Sequence, residues 1–269
     1  MKNTYMTDDE YSNCFIDFFG IREKISKHLI HYNLKSAPKV LDVLAGHGLF
    51  SLEIMKLIGK GEVHAVGLKN DKTSFNRIQY SLNSTEKKLL ERIKYHVMDT
   101  RDLKFPSEYF DFVVNFLGLE DLNMTTGIKG VKQSLYEFVR VLKQGGIILV
   151  TLWLEGDDKD KKLAKEINEF IEHNAIFYPK AFYINQLRKF GVSICEEKWY
   201  YTGKKMTSEQ AKEELSYSCS KTSEVFKEYD VKTVSFEDLW KKFGKRIKKH
   251  GVAYYSELCV LIGKKEKFS

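Results

Sequence analysis

The fold is decided by one stretch of the chain, Val40-Leu41-Asp42-Val43-Leu44-Ala45-Gly46-His47-Gly48-Leu49-Phe50-Ser51. A short apolar strand ends near an acid, small residues let the backbone turn tightly, and residues with helical spacing follow at once. A helix that starts here directs its first N–H groups and its positive end to the carboxyl edge of the sheet. The stretch therefore predicts a strand, a loop that can bind a charged small molecule, and a helix.

Predicted strands and helices alternate along most of the chain. After the strand at 39–44, strands are predicted at 63–68, 93–97, 110–116, 147–154, 192–201 and 256–263. Helices are predicted at 8–34, 49–57, 72–82, 131–142, 159–173 and 181–190, and Gln144-Gly145-Gly146 is predicted to turn the chain into the fifth strand. Strands that alternate with helices at this spacing indicate a parallel sheet with helices on both faces.

A long and highly charged helical segment, 207–250, separates the last two predicted strands. So long a connection inside a compact domain is usually functional, and we interpret it as an inserted cap or lid. We therefore predict one domain with an N-terminal helical cap (1–37), an α/β core (38–206), this insertion, and a final strand with its tail (251–269).

Composition limits the classes of protein and of site. Hydrophobic residues make up 43% of the 269 residues, which excludes wholesale disorder. The N-terminus carries acid where a signal peptide has its apolar segment, and the strongest apolar run, 147–154, is too short to cross a bilayer. The 4 Cys and 7 His are dispersed without metal-ligand spacing. These observations predict a cytoplasmic protein with no membrane span and no metal site.

The net charge of +7 permits a polyanionic partner without requiring one. Part of the excess lies at 241–249, where Trp240, Phe243 and Ile247 recur at helical spacing and leave the lysines on the opposite face. That face is interpreted either as a solvated helix surface or as a patch for nucleic acid or an acidic ligand.

Four motifs occur in order along residues 38–154. The first is an acid followed by glycines, at Asp42, Gly46 and Gly48. The others are Asp99-Thr100-Arg101-Asp102-Leu103, Phe110-Asp111-Phe112-Val113-Val114 and Arg140-Val141-Leu142-Lys143-Gln144-Gly145-Gly146. Together they resemble the class I S-adenosylmethionine-dependent methyltransferase family. The resemblance implies a doubly wound, Rossmann-like, seven-stranded α/β sheet, here with an N-terminal helical cap and a helical insertion between the last two strands, and S-adenosylmethionine as the cofactor.

The resemblance also implies roles for individual residues. Asp42 and the loop backbone would hold the methionine part of the cofactor, the loop residues being Leu44, Ala45, Gly46, His47 and Gly48. Asn70 or Asp71 would approach the ribose. Asp99 and Thr100 would flank the adenine, and Asn115 would lie near the sulfonium.

Two positions depart from the family pattern. Leu44 stands where the pattern has its first glycine, and we predict an ordinary negative φ for it. Lys69 stands where the family has an acid for the ribose hydroxyls. A cation there would suit the 2′-phosphate of NADP, which keeps a dehydrogenase as an alternative. The dinucleotide fingerprint, however, requires glycine at the position of Ser51.

Methyl transfer is an in-line displacement, and a base is needed only when the acceptor must lose a proton. The candidate bases are Glu120, Asp121 and His47. Each carboxylate has a plainer interpretation as a capping or solvated acid. His47 has one as a loop side chain that faces both solvent and cofactor.

The acceptor is predicted to be a small organic molecule. Tyr11, Phe18, Phe19, Glu120 and Trp153 are the candidate acceptor-binding residues, although core packing would also explain the aromatic ones. Asn115 is followed by Phe116-Leu117-Gly118 rather than Pro-Pro-aromatic, which argues against methylation of base amines. The alternatives left open are an RNA or protein methyltransferase that uses the 241–249 helix, an NADP-dependent oxidoreductase, and a noncatalytic binding module.

Overall fold

The protein is described by a computed structural model over residues 19–32, 37–153, 159–171, 178–201, 205–226, 234–253 and 257–267. The side chains of residues 19, 159–161 and 221–226 lie outside that description. The strands are β1 (Lys39–Val43), β2 (Glu62–Gly67), β3 (Ile93–Val97), β4 (Phe110–Phe116), β5 (Leu142–Trp153), β6 (Val192–Tyr201), β7 (Lys205–Met206), β8 (Val252–Ala253) and β9 (Glu257–Lys265).

The helices lie on both sides of the sheet and in a separate cluster. They are α1 (Phe19–Ser26), α2 (Leu49–Ile58), α3 (Lys69–Ile78), α4 (Ser84–Leu90), α5 (Leu119–Val141), α6 (Lys159–Ile171), α7 (Lys180–Lys189), α8 (Ser208–Phe226) and α9 (Phe236–His250). Short 3-10 helices cover Lys27–Tyr32, directly after α1, and Gln79–Ser81. None of the helices in the described ranges is long and apolar enough to cross a membrane.

Within the described residues, seven strands form one sheet in the order β3-β2-β1-β4-β5-β9-β6. The pairs from β3 to β5 are parallel, and β9 is antiparallel to both of its neighbours. The predicted α/β sheet is confirmed, with one antiparallel strand that the sequence pattern did not indicate. Because the chain leaves β1 toward β2 and later returns to β4 on its other side, β1 and β4 flank the point where the strand order reverses. Open α/β sheets bind ligands at this point.

The sheet is buried on both faces, as parallel strands normally are. On one face α5 and α7 pack against β1, β4 and β5, and Leu41, Val113 and Phe138 have no exposed surface. On the other face α1 to α4 pack against alternate residues of the same strands, among them Val40, Val114 and Leu149. The period-2 alternation of side chains therefore divides each strand between two cores.

The structure corrects the predicted turn at Gln144-Gly145-Gly146, which lies inside β5 instead. The pairing between β4 and β5 shifts register between Phe110 and Phe112, and Gly145 has a φ of 71°. A bulge with a left-handed glycine lets a strand bend without ending. The glycines therefore mark an irregularity in the ladder and not its boundary.

Other differences concern helix bounds. The short helix α4 was not predicted, although Asn83 and Glu86 form a capping box at its start: Oδ1 of Asn83 accepts from two backbone N–H groups at 3.0 Å. Helix α5 begins at Leu119 rather than at 131, with a break at Gly127, whose φ is 66°. For the helix predicted at 8–34, residues 1–18 and 33–36 lie outside the described residues.

The predicted insertion does not pack alone. Helix α6, which was assigned to the core domain, contributes Leu163, Ile167 and Ile171 to a hydrophobic cluster with α8 and α9. Strands β7 and β8 pair beside this cluster and bring the two ends of the insertion together. We call α6, α8, α9 and the β7–β8 pair the cap cluster. Its core is separate from both sheet cores because the apolar faces of these helices point at one another.

Candidate functional site

The candidate site lies at the carboxyl edge of β1 and β4. Asp42 near the end of β1 has no exposed surface, and its Oδ2 accepts a 2.5 Å hydrogen bond from Oγ of Ser51 in α2. Among the described residues, the other carboxylate oxygen of Asp42 has no hydrogen-bond partner. Burial raises the pKa of Asp42 to about 7, against the opposing effect of the Ser51 hydrogen bond. A buried acid with an unused oxygen is a group to which a cationic ligand can bind.

Glycines shape the loop that follows Asp42. Gly46 and Gly48 have φ values of 50° and 78°, and the carbonyl oxygen of Gly46 accepts from the hydroxyl of Tyr95 at 2.7 Å. A Cβ atom on Gly48 would lie 2.4 Å from Cδ2 of Phe75. The rings of Phe75 and Tyr95 are 4.8 Å apart, so the loop rests on a packed aromatic pair. Gly48 is therefore required both for its conformation and for space.

Gly48→Ala is predicted to destabilise the protein more than the matched change Gly59→Ala. Both residues have a left-handed φ, but no atom lies within 4 Å of a Cβ on Gly59. The control should lose about 1–2 kcal/mol for the backbone conformation, and Gly48→Ala about 1–3 kcal/mol more for overpacking. Urea denaturation measures both losses, and equal losses would show that Phe75 does not restrict the loop.

The predicted negative φ of Leu44 is wrong, because the structure gives this residue a φ of 57°. The loops after β1 and β4 approach so closely that a Cβ on Gly118 would lie 3.2 Å from Cβ of Leu44. Leu117, which precedes Gly118, also has a positive φ of 64°. A left-handed non-glycine residue costs roughly 1–2 kcal/mol, and such residues cluster at functional sites. The glycine in the family pattern was the signal for this conformation.

His47 lies inside the loop rather than between solvent and cofactor. Its exposed fraction is 4%, so the interpretation as a partly solvated side chain is wrong. Burial and the positive charge of Arg22 lower the pKa of His47 to about 4. A group with so low a pKa binds a proton weakly, so the uncharged imidazole is a poor general base at neutral pH.

Arg22 in α1 is a site residue that sequence reasoning missed. Its exposed fraction is 2%, and its guanidinium carbon lies 5.4 Å from the centre of the Phe116 ring. A cavity of about 40 Å³ is lined by Arg22, Asp42, Leu44, Ala45, Gly46, Leu49, Phe50 and Phe116. An arginine among the apolar residues of an amphipathic helix was the available signal. The cavity is far below the about 300–1,000 Å³ of ligand pockets and marks one end of a site.

Glu120 and Asp121 begin α5, next to the end of β4. Oε1 of Glu120 accepts from the backbone N–H of Trp153 at 3.2 Å, which joins the ends of β4 and β5. Burial, with a smaller contribution from the negative charge of Asp121, raises the pKa of Glu120 to about 7. Asp121 is exposed. Trp153 is buried against Leu117 and Leu258 and forms an apolar floor beside Glu120.

Three of the predicted acceptor-binding residues lie wholly or partly outside the described residues. Tyr11 and Phe18 lie outside the described residues, and Phe19 begins α1 with its side chain not described.

No group of three metal-ligating side chains occurs in the part of the chain that the structure describes. A groove of about 560 Å³ between α1 and α2 is larger than the Asp42 cavity, but it lies toward the far end of α2 at Glu53, Lys56 and Leu57.

Comparison with known proteins relates the part of the chain that contains this edge to a protein family. Residues 41–150 match the family described as a methyltransferase domain. This matched segment is a methyltransferase domain, in agreement with the resemblance of the motifs to the class I S-adenosylmethionine-dependent family. The cofactor of this family is therefore S-adenosylmethionine.

Curated relatives share this part of the chain. A ubiquinone/menaquinone biosynthesis C-methyltransferase of Blochmanniella floridana is 29% identical over 133 residues, which cover 49% of this chain and 49% of that protein. A sterol 24-C-methyltransferase of Gibberella zeae is 32% identical over 159 residues, covering 58% and 39%. The chain thus spans about half or less of the length of these relatives.

Solved structures share the fold at low identity. An O-methyltransferase family protein from Burkholderia thailandensis superposes with a TM-score of 0.58 at 11% identity, covering 97% of this chain and 60% of that one. The [4+2]-cyclase SpnF gives 0.54 at 14%, covering 91% and 81%. Because a cyclase also has this fold, the fold alone does not define the reaction.

The residues at this edge of the sheet fit S-adenosylmethionine. Its methionine part carries an ammonium group, for which the buried and partly unsatisfied carboxylate of Asp42 is a suitable acceptor. Gly46 lines the cavity beside Asp42, and its φ of 50° is a conformation that glycine adopts more readily than residues with a side chain.

At the end of β2, where the resemblance implies contact with the ribose, the structure has an acid as well as Lys69. Lys69 is exposed, whereas Asp71 is partly buried and its Oδ2 accepts from the backbone N–H of Leu68 at 2.8 Å. Burial, and to a lesser extent the charge of Asp121, raises the pKa of Asp71 to about 6. Asn70, the other candidate, is also partly buried.

Asp99 and Thr100, which the resemblance implies would flank the adenine, both have side-chain partners within the protein. The carboxylate of Asp99 is held by the Arg101 guanidinium at 2.6 Å and is exposed, while the buried hydroxyl of Thr100 bonds Ser134 in α5 at 3.1 Å. Leu68 and Val97, at the ends of β2 and β3, are 44% and 50% exposed. Two exposed apolar side chains at neighbouring strand ends suit one face of a base, and the sequence reasoning missed them.

Asn115 connects the two loops of the site. Its Nδ2 donates to the carbonyl oxygens of Val43 at 3.0 Å and Leu117 at 2.5 Å. Its Oδ1 is buried and without a partner in the described part of the chain. Asn115 therefore stabilises the left-handed conformation at Leu117 and leaves one acceptor unused.

Proposed function

We propose that the chain transfers the methyl group of S-adenosylmethionine to a small organic acceptor by in-line displacement. The observation that carries the proposal is the buried Asp42 carboxylate, whose free oxygen lies beside a glycine loop at the point where the strand order reverses. When bound, the cofactor supplies an electrophilic methyl group on a sulfonium. The protein supplies alignment, which can account for most of the acceleration of such a reaction.

Several residues together would hold the cofactor. Asp42 would bind the ammonium and Arg22 the carboxylate of the methionine part, because both side chains line the same cavity. Asp71 would accept from the ribose hydroxyls. Leu68 and Val97 would pack against the adenine.

The acceptor is proposed to be largely apolar and to react at a carbon or hydroxyl. The names of the two curated relatives specify transfer to carbon, in quinone biosynthesis and on a sterol. Trp153, Leu117 and Leu258 offer an apolar floor, and Glu120 beside them has a pKa near neutrality. A carbon or hydroxyl nucleophile must lose a proton, and Glu120 would be the group that accepts it. The cap cluster would exclude water from this site.

The alternatives receive less support from the contacts. Arg246 of the basic helix α9 pairs with Glu166 of α6 at 2.5 Å, and Nζ of Lys242 lies 4.1 Å from the centre of the Phe170 ring. Part of the basic face therefore holds the cap cluster together, and no described contact favours RNA. Ser51 is buried with its hydroxyl on Asp42, in the position where a dinucleotide fingerprint requires glycine.

Calorimetry followed by methyl-transfer assays tests the proposal. We expect S-adenosylhomocysteine to bind and NADP to release no heat, because Ser51, hydrogen-bonded to Asp42, stands where the dinucleotide fingerprint requires glycine. Radiolabelled methyl should then pass to a hydroxylated quinol or a sterol, with little salt dependence. Binding of NADP without S-adenosylhomocysteine, or transfer only to RNA with a steep loss in salt, would contradict the proposal.

A further inference from the structure

Two side-chain hydrogen bonds join the segment containing α1 to the edge strand β6. His28 Nε2 lies 2.6 Å from the hydroxyl of Tyr200, and the hydroxyl of Tyr32 donates to Oε1 of Glu196 at 2.5 Å. His28 and Tyr32 belong to the 3-10 helix that continues α1, and both partners belong to β6. We call these four residues the α1 latch.

The same segment places Arg22 in the cofactor cavity. Arg22 lies six residues before His28, and its side chain is buried over Phe116. Ile25 and Leu29 anchor the segment in the core beside α2. Helical stability in proteins comes mostly from tertiary packing, so the position of α1 depends on such contacts.

Tyr200 connects the latch to the floor of the site. Its ring packs partly buried against Leu117, Trp153 and Leu258, and Ile21 of α1 joins the same cluster. The aromatic ring can keep these contacts without its hydroxyl. The hydroxyl is therefore separable from the packing, and its bond to His28 sets how the α1 segment meets the strand ends.

We propose that Tyr32 and Tyr200 are positioning residues, which act through the α1 latch to hold Arg22 at the carboxylate of the cofactor. The inference rests on the proposed function, since it assumes that the methionine part binds beside Asp42. A guanidinium binds a carboxylate best in a fixed bidentate geometry, so a small displacement of α1 weakens that contact. Loss of either hydroxyl should then affect only ligands that carry the carboxylate.

The test is a double-mutant cycle read with two ligands. S-adenosylhomocysteine has the carboxylate and the ammonium group of an amino acid, whereas 5′-methylthioadenosine lacks both and keeps the adenosine, so the comparison with Arg22→Gln assigns an effect to the carboxylate. We expect Tyr32→Phe with Tyr200→Phe to raise the Kd of S-adenosylhomocysteine about five- to tenfold, and Arg22→Gln to do the same. Combining all three should be no worse than Arg22→Gln alone, because interacting residues are not additive. The Kd of 5′-methylthioadenosine should not change in any variant.

Matched controls separate this effect from damage to the fold. Tyr80→Phe removes a hydroxyl from a side chain that is 81% exposed and should leave both Kd values unchanged. If the double change fails to fold, Tyr32→Phe alone takes its place, because it removes only the hydrogen bond to Glu196 and should still raise the Kd of S-adenosylhomocysteine without changing that of 5′-methylthioadenosine. Equal weakening of both ligands, or additive losses with Arg22→Gln, would overturn the inference. If the wild type binds 5′-methylthioadenosine and S-adenosylhomocysteine equally well, the carboxylate contact is absent. If it binds neither, the proposed function itself fails.

Discussion

Asp42→Asn is expected to weaken binding of S-adenosylhomocysteine at least tenfold at pH 8. The carboxylate is buried with one oxygen unsatisfied, and the amide cannot pair with an ammonium group as a charge. Asp102→Asn is the matched control, because Asp102 is exposed and pairs with Lys104 on the surface. Calorimetry measures both, and an Asn variant that binds like the wild type would move the ammonium site away from Asp42.

The same substitution is expected to stabilise the protein without ligand at pH 8. The pKa of Asp42 is raised from 3.8 to about 7 in the folded state, so the folded state holds the proton more tightly than the unfolded state. The stability that this group contributes is present at low pH and is lost as the pH rises toward 7. Urea denaturation at pH 5 and pH 8 should show a smaller loss of unfolding free energy in Asp42→Asn than in the wild type. An equal or larger loss would show that Asp42 is ionised at little cost in the folded protein.

The affinity of the wild type for the cofactor should rise with pH over the same interval. An ammonium ligand binds the ionised carboxylate, which must lose its proton first when the pH is below its pKa of about 7. The affinity should fall about tenfold for each pH unit below that value, and Asp42→Asn should remove this dependence. A pH profile shared by both proteins would assign it to another group.

Glu120→Gln is expected to lower turnover by about 10²–10⁴-fold, the usual contribution of a general base, with an acceptor that must lose a proton. Glutamine retains an oxygen for the N–H of Trp153, so the loop should persist and S-adenosylhomocysteine should still bind. In the wild type, turnover should rise with pH toward a plateau above about 7, where Glu120 is ionised.

Asp121→Asn is the informative control for this experiment. Asp121 is exposed, and its negative charge raises the pKa of Glu120. Removing that charge should shift the pH profile of turnover to lower pH and leave the plateau nearly unchanged. Full activity in Glu120→Gln, with its loss in His47→Gln, would transfer the role of base to His47.

Local patterns carried the parts of the fold that depend on neighbours in sequence. The bounds of β3, β4 and β6 agree with the prediction, because β-branched and aromatic residues are concentrated in short segments that read as strands. The predicted turn at 144–146 was wrong because the prediction also used only residues close together in the chain. A glycine pair looks alike in a turn and in a bulge, and only the pairing of β5 with β4 distinguishes them.

The residues of the site also differ in whether the sequence alone could reveal them. Asp42, Gly46 and Gly48 could be found from their spacing because they follow one strand into one helix. Arg22 could not be found, since it reaches Phe116 from 94 positions away through the packing of α1. Leu68 and Val97 escaped notice because their exposure depends on neighbouring strands that end at the same edge.

The sequence by itself determined where the seven strands of the main sheet lie along the chain, the glycine loop and the resemblance to the family, because each depends on residues close together in the chain. The tertiary structure alone decided the left-handed φ of Leu44, the raised pKa values of Asp42 and Glu120, and the joining of α6 to the cap cluster. These properties arise from burial and from contacts between distant segments. Burial sets the energy of a charge or a strained backbone, and no spacing of residues along the chain records it.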